Sequence, residues 1–109
     1  MNKAELGRRA VACPHWDWDQ ILSHGVTGNY KLREQTLTFE SFDGETLPDF
    51  EDECSVDSLM ALVRKVYGRG LMVTRQDDNE WWIDLSPWVA IGPCATEAEV
   101  LVAALEVAP

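Results

Sequence analysis

Nineteen carboxylates in 109 residues are the side chains most able to do chemistry, and they are unevenly spread. From Glu40 to Asp57 there are eight (Glu40, Asp43, Glu45, Asp49, Glu51, Asp52, Glu53 and Asp57) with no Lys or Arg among them. Asp77, Asp78 and Glu80 form a second group. Acids along one surface present the same sign of charge as nucleic-acid phosphates, so such a strip is suited to docking on a basic groove of another protein. The plainer expectation is a solvated, charged loop that aids solubility. Calcium binding is a weaker option. Asp49, Glu51 and Glu53 alternate, but the Asp-x-Asp-x-Asp-Gly loop with its distal Glu is missing.

Cys13, His15 and His24, with the distant Cys54 or Cys94, have the donor atoms for zinc but not the usual Cys or His spacings. Cys13 and His15 are also a weak nucleophilic pair, because a two-residue spacing does not establish the hydrogen bond that activates a thiol. Asp17 with Asp19, and Asp77 with Glu80, are paired carboxylates of the kind any chain this acidic contains. There is no P-loop, GxSxG, HExxH or GxGxxG. The expectation is a non-catalytic protein with no cofactor and no metal.

Composition bounds the rest. Nine Lys and Arg against nineteen Asp and Glu give a formal net charge of −10. So acidic a chain is poorly suited to gripping nucleic acid directly or an anionic membrane. A hydrophobic share of 46% is enough for a core and argues against disorder. The length fits a single domain spanning residues 1–109. Three widely spaced cysteines are no disulfide framework, and the N-terminus lacks the apolar run of a secretory signal. A soluble protein of a reducing cytoplasm is expected.

The elements that would position these residues follow from periodicity and punctuation. Lys3 to Ala12 reads as a short helix, weakened by Gly7 and stopped by Pro14. Residues 15–28 are irregular in pattern. Asn29 to Leu32 and Leu37 to Phe42 look extended, the second with period-2 alternation and Asp43-Gly44 as a hairpin signal behind it. Pro48 argues for an edge or a loop. A helix is expected from an N-cap at Ser55 to a stop at Gly68, with Val56, Leu59, Met60, Val63, Val66 and Tyr67 as its apolar stripe. Leu71 to Gln76 and Glu80 to Leu85 flank Asp77-Asp78-Asn79 as a hairpin, with Trp81, Ile83 and Leu85 on one face and Trp82 and Asp84 on the other. Trp88 to Ile91 reads as a further strand. Thr96 with Glu99 forms a capping box for a last helix, whose face is Leu101, Ala104, Leu105 and Ala108.

Helix, strands, helix, strands, helix is an α+β order. The expected fold is an antiparallel sheet of about four to five strands in an α-β-α layered sandwich with three helices. If helices cover both sheet faces, all five tryptophans can be core. Otherwise Trp16, Trp18 and Trp82 would form an exposed cluster able to anchor a partner.

Three pieces carry a resemblance over most of the chain: Val11-Ala12-Cys13-Pro14-His15-Trp16, then Leu47-Pro48-Asp49-Phe50 leading into Asp57 to Arg64, then Ala95 to Glu106. Together the chain resembles small phage and prophage proteins of the phage ABA sandwich domain type. The resemblance implies an α-β-α layered fold and a phage-type accessory protein, and it transfers no catalytic residue. Small acidic phage proteins that block host nucleases or defence complexes, such as anti-CRISPR or DNA-mimic proteins, work through an anionic surface of this kind. The expected partner is therefore a host protein with a basic surface, met through Glu40, Asp43, Glu45, Glu51, Asp52 and Glu53, with Asp77 and Asp78 as a second patch. The alternative is a homo-oligomeric or virion-associated accessory protein in which tryptophans make the interface and the acids only solvate.

Overall fold

The computed structural model describes residues 2–23, 38–68, 70–86 and 89–108. The extended segment expected at Asn29 to Leu32 lies outside the described residues, as do His24 and Trp88. Among the described residues the chain order is α1 (Lys3–Val11), α2 (Trp18–Ser23), β1 (Thr38–Glu40), β2 (Thr46–Pro48), α3 (Glu53–Tyr67), β3 (Met72–Asp77), β4 (Glu80–Ser86), β5 (Val89–Cys94) and α4 (Glu97–Glu106). None of these helices is long and apolar enough to cross a membrane.

The α+β class is as expected, with three helices of nine residues or more and an additional short α2. Among the described residues a single sheet of four to five strands is not shown. The strands divide into a two-stranded sheet, β1-β2, and a three-stranded one, β3-β4-β5, all pairs antiparallel. The reason is local. Each of the β1-β2 and β3-β4 hairpins pairs across its own short turn.

Helix α4 is the hub. It packs on α1, on α3, and on the β4 and β5 strands. Val100, Leu101, Val102, Ala104 and Leu105 are fully buried there, against Leu59, Leu62 and Val63 of α3 and Ile83 of β4 in one core cluster. Its start follows the capping signal: Thr96 Oγ1 accepts from the Glu99 N–H at 3.1 Å, while Glu99 Oε2 accepts from the Ala95 N–H at 3.1 Å. At the far side Tyr67 donates its hydroxyl to the Ala104 carbonyl at 2.6 Å, tying the end of α3 to α4.

Helix α3 begins three residues earlier than expected. Asp52, not Ser55, is the N-cap, its carboxylate accepting from the Cys54 N–H at 2.8 Å. Ser55 is buried inside the helix. Both residue types cap well; with the earlier start Ser55 joins Ser58, Leu59, Leu62 and Val63 on the buried face of the helix. Gly7 also has a positive role. It is buried in α1, where an added Cβ would lie 3.2 Å from Leu47 Cβ, so the glycine lets α1 approach β2 closely.

Candidate functional site

The β1-β2 hairpin is the centre of the acidic strip. Its turn is fixed by the Ser41 N–H donating to the Glu45 carbonyl at 2.7 Å and the Gly44 N–H to the Ser41 carbonyl at 2.9 Å. The buried Ser41 hydroxyl accepts from the Glu45 N–H at 3.1 Å. Gly44 has φ +83°, the left-handed region that the Asp-Gly pair signals in sequence. Phe42 follows β1 rather than completing it, and its ring stands fully in solvent at the hairpin tip.

Two cations from α1 lie against this strip. Arg8 Nε donates to Glu45 Oε1 at 2.9 Å, and one terminal guanidinium nitrogen reaches Asp43 Oδ2 at 3.2 Å. Lys3 Nζ lies 3.8 Å from Asp49 Oδ2 and 3.9 Å from Glu51 Oε2, and 4.4 Å from the centre of the Phe39 ring. Eight carboxylates against these two cations leave six net negative charges between Glu40 and Asp57. Asp43, Glu45 and Glu51 are therefore surface-exposed but ion-paired, whereas Glu40 and Glu53 are exposed without an ion pair among the described residues. Asp52 serves as the helix cap and is half-buried.

Asp77 and Asp78 sit apart from this strip, at the β3-β4 turn of the other sheet. Asp78 is engaged with Arg75 at 2.9 Å, and Asp77 Oδ1 accepts from the Asp78 N–H at 2.8 Å. The structure thus gathers Glu40, Asp43 and Glu45 on one hairpin and Glu51, Asp52 and Glu53 at the start of α3, with Asp77 and Asp78 on a different hairpin.

Where α3 and α4 begin, a cleft of about 340 Å³ opens over Phe50, Val56 and Ala98 and is rimmed by Glu53, Asp57 and Glu97. Burial, reinforced by the neighbouring Asp57 charge, pushes the Glu97 carboxyl above its ordinary range. Among the described residues no three His, Cys, Asp or Glu side chains converge to hold a metal ion.

Two of the thiols, Cys13 and Cys94, are held in the protonated form. Burial, first of all, raises Cys13 and Cys94 above the usual thiol value, which reduces the thiolate that a nucleophile or metal ligand needs. Cys13 Sγ instead donates to the Arg9 carbonyl at 3.3 Å. On the same flank Arg9 is hydrogen-bonded to the Glu106 carboxylate, a contact that raises its pKa further.

Among the described residues the tryptophans do not form one cluster. Trp16 meets Trp18 edge-on at 5.2 Å and Phe50 at 6.3 Å between ring centres. Trp81 is half-buried on the core side of β4, with the Arg75 guanidinium 5.5 Å from its ring centre. Trp82 is half-buried on the opposite side of that strand.

The residues that sequence reasoning passed over are Phe42, Arg8 and Lys3. Period-2 alternation read Phe42 as one more strand position. Its place directly before Asp43-Gly44, where a hairpin must turn, was the available sign of a tip residue. Arg8 pairs with acids 35 and 37 positions away, which no local pattern encodes. Comparisons with protein-family descriptions, with curated proteins and with solved structures return no match.

Proposed function

We propose that this chain is a non-catalytic, acidic accessory protein of phage type that binds and inhibits a host protein carrying a basic surface, with nucleic-acid-handling and antiviral defence complexes as the first candidates. One observation carries the reading: a fully exposed phenylalanine on a hairpin tip locked by its own turn and by Arg8, with Glu40, Asp43 and Glu45 around it. An aromatic ring held out in water contributes nothing to folding. In a partner's apolar pocket it supplies contact area with little conformational entropy left to lose. The acids alone support the reading less, because Arg8 and Lys3 offset part of their charge. They supply the attraction that brings a basic rim to the hairpin.

The test is affinity capture from host lysate with the wild type, Phe42→Ser, and Glu40→Lys combined with Glu53→Lys. These positions avoid Asp52, whose replacement would also remove a helix cap. All variants should melt within a few degrees of the wild type, since the altered side chains are exposed. A specific partner should be retained by the wild type, lost with Phe42→Ser, and weakened by the charge reversal and by salt raised well above about 0.1 M. Equal retention of the same partner by all three proteins would refute the reading.

A further inference from the structure

The larger sheet has a second face that the core does not use. Val73, Trp81, Ile83, Leu85 and Ile91 turn inward against the core. Alternation places Met72, Thr74, Trp82, Asp84 and Ala90 on the other side. Register sets Met72, Asp84 and Ala90 in one row across the three strands, with Thr74 and Trp82 in the next. Met72 is 62% exposed, and Asp84 and Ala90 are exposed as well. The register shift between Trp81 and Ile83 leaves Gly92 beside Trp82. An added Cβ there would lie 3.0 and 3.1 Å from indole atoms Cδ2 and Cε3, so the indole is seated on bare backbone.

Asp84 has no ion pair among the described residues, and Met72, Thr74, Trp82 and Ala90, which share its face, bring no cation. A lone carboxylate, flanked by two apolar side chains and two residues (about 6.6 Å of backbone rise) along the strand from a tryptophan on the same face, matches one side chain better than any other. An arginine can lay its methylene stem on Met72 and Ala90, fork its guanidinium onto both oxygens of Asp84, and stack that same plane on Trp82. Lysine, a point charge with no plane, matches less of it.

We propose that the outer face of β3-β4-β5 binds an arginine side chain presented by a segment of another protein, with Asp84 as the anion, Trp82 as the platform, and Met72 and Ala90 as the apolar flanks. This surface is separate from the Phe42 hairpin and does not depend on it.

The test uses the full chain, ¹⁵N-labelled, titrated with acetyl-Gly-Arg-Gly-Arg-Gly-amide and with its lysine counterpart, followed by the backbone and indole N–H signals. The arginine peptide should move the signals of Met72, Trp82, Asp84 and Ala90 in a saturable way, and more tightly than the lysine peptide. Asp84→Asn, at an exposed site, should keep the folded spectrum and weaken binding about tenfold, the loss of one charge-assisted contact. Trp82→Phe should weaken it as well. Movement confined to Glu40–Glu53 would mean that the acidic strip merely collects cations, and would overturn the proposal while leaving the hairpin reading standing. Equal response to both peptides, or an unchanged titration by Asp84→Asn, would overturn it too. So would movement of the same four signals with protein concentration alone, which would make a second copy the occupant.

Discussion

Replacing Leu101 by Ala tests the arrangement that holds both surfaces in place. Leu101 is fully buried on α4, the helix that contacts α1, α3, β4 and β5, and its neighbours in the core include Leu59, Leu62, Val63, Ile83 and Leu105. Truncation removes three carbon atoms from a fully buried position on a helix that packs against four other elements, so a cavity should remain. The cost should fall in the usual range for such changes, about 2–5 kcal/mol, out of a total stability of about 5–15 kcal/mol for a chain this size. At about 4–8 °C per kcal/mol the melting midpoint should drop by at least about 8 °C. Urea unfolding followed by tryptophan fluorescence measures the free energy, and Val107→Ala is the control: 64% exposed just past the same helix, it should change stability by less than about 0.5 kcal/mol. A loss below about 1 kcal/mol for Leu101→Ala, or equal losses at the two positions, would refute α4 as the element on which the rest is packed.

Tyr67→Phe removes the donor to the Ala104 carbonyl and should cost about 1–3 kcal/mol in urea titration, because the acceptor loses its partner beside the core. Arg8→Ala removes two ion pairs at a side chain 41% exposed, so the loss should be small, about 0.5–1.5 kcal/mol, with amide shifts concentrated at Ser41–Glu45 and the effect shrinking in high salt. Glu97 titrates above its ordinary range, which means the fold favours its neutral form; that stabilisation is complete below the ordinary glutamate pKa and is lost as pH rises through the elevated folded value. Glu97→Gln should therefore raise the melting midpoint relative to wild type at pH 7, and the gain should vanish below about pH 4. A gain that stayed constant with pH would show that Glu97 is not titrating differently in the fold.

What could be read from the chain is what neighbours in sequence decide. Thr96 and Glu99 announce α4, Gly68 ends α3, Asp43-Gly44 makes the first hairpin, and the alternation Trp81, Ile83, Leu85 identifies the inward face of β4. What could not be read is which separate pieces meet. Alternation tells a strand which side is apolar but not which strand lies beside it, so it leads to one sheet where the described residues form two. The six-residue α2 carries too few turns for a helical stripe to show. Leu62, absent from the expected stripe of α3, is nearly fully buried because α3 is contacted by both α2 and α4, which widens its apolar face. The acids were legible by name, but their neutralisation was not, since it is supplied by α1 from the start of the chain.

That last point changes where recognition should be sought. A run of carboxylates counted along the sequence overstates the field it makes once Lys3 and Arg8 fold back onto it. Exposed ion pairs are individually weak, so neither the strip nor its cations can contribute much by themselves. Binding energy concentrates where an apolar group already stands in water beside an acid without an ion pair, because burying the first is favourable and pairing the second adds direction. Two places among the described residues meet both conditions: Phe42 beside Glu40, and Met72 with Trp82 beside Asp84. They lie on different sheets, so a partner, or two partners, could use one without the other. Salt should then weaken association at either place without abolishing it, as the apolar share of the contact is unscreened. A complex that vanished altogether once salt passed a few tenths molar would point back to charge alone, and to the strip rather than the two aromatic anchors.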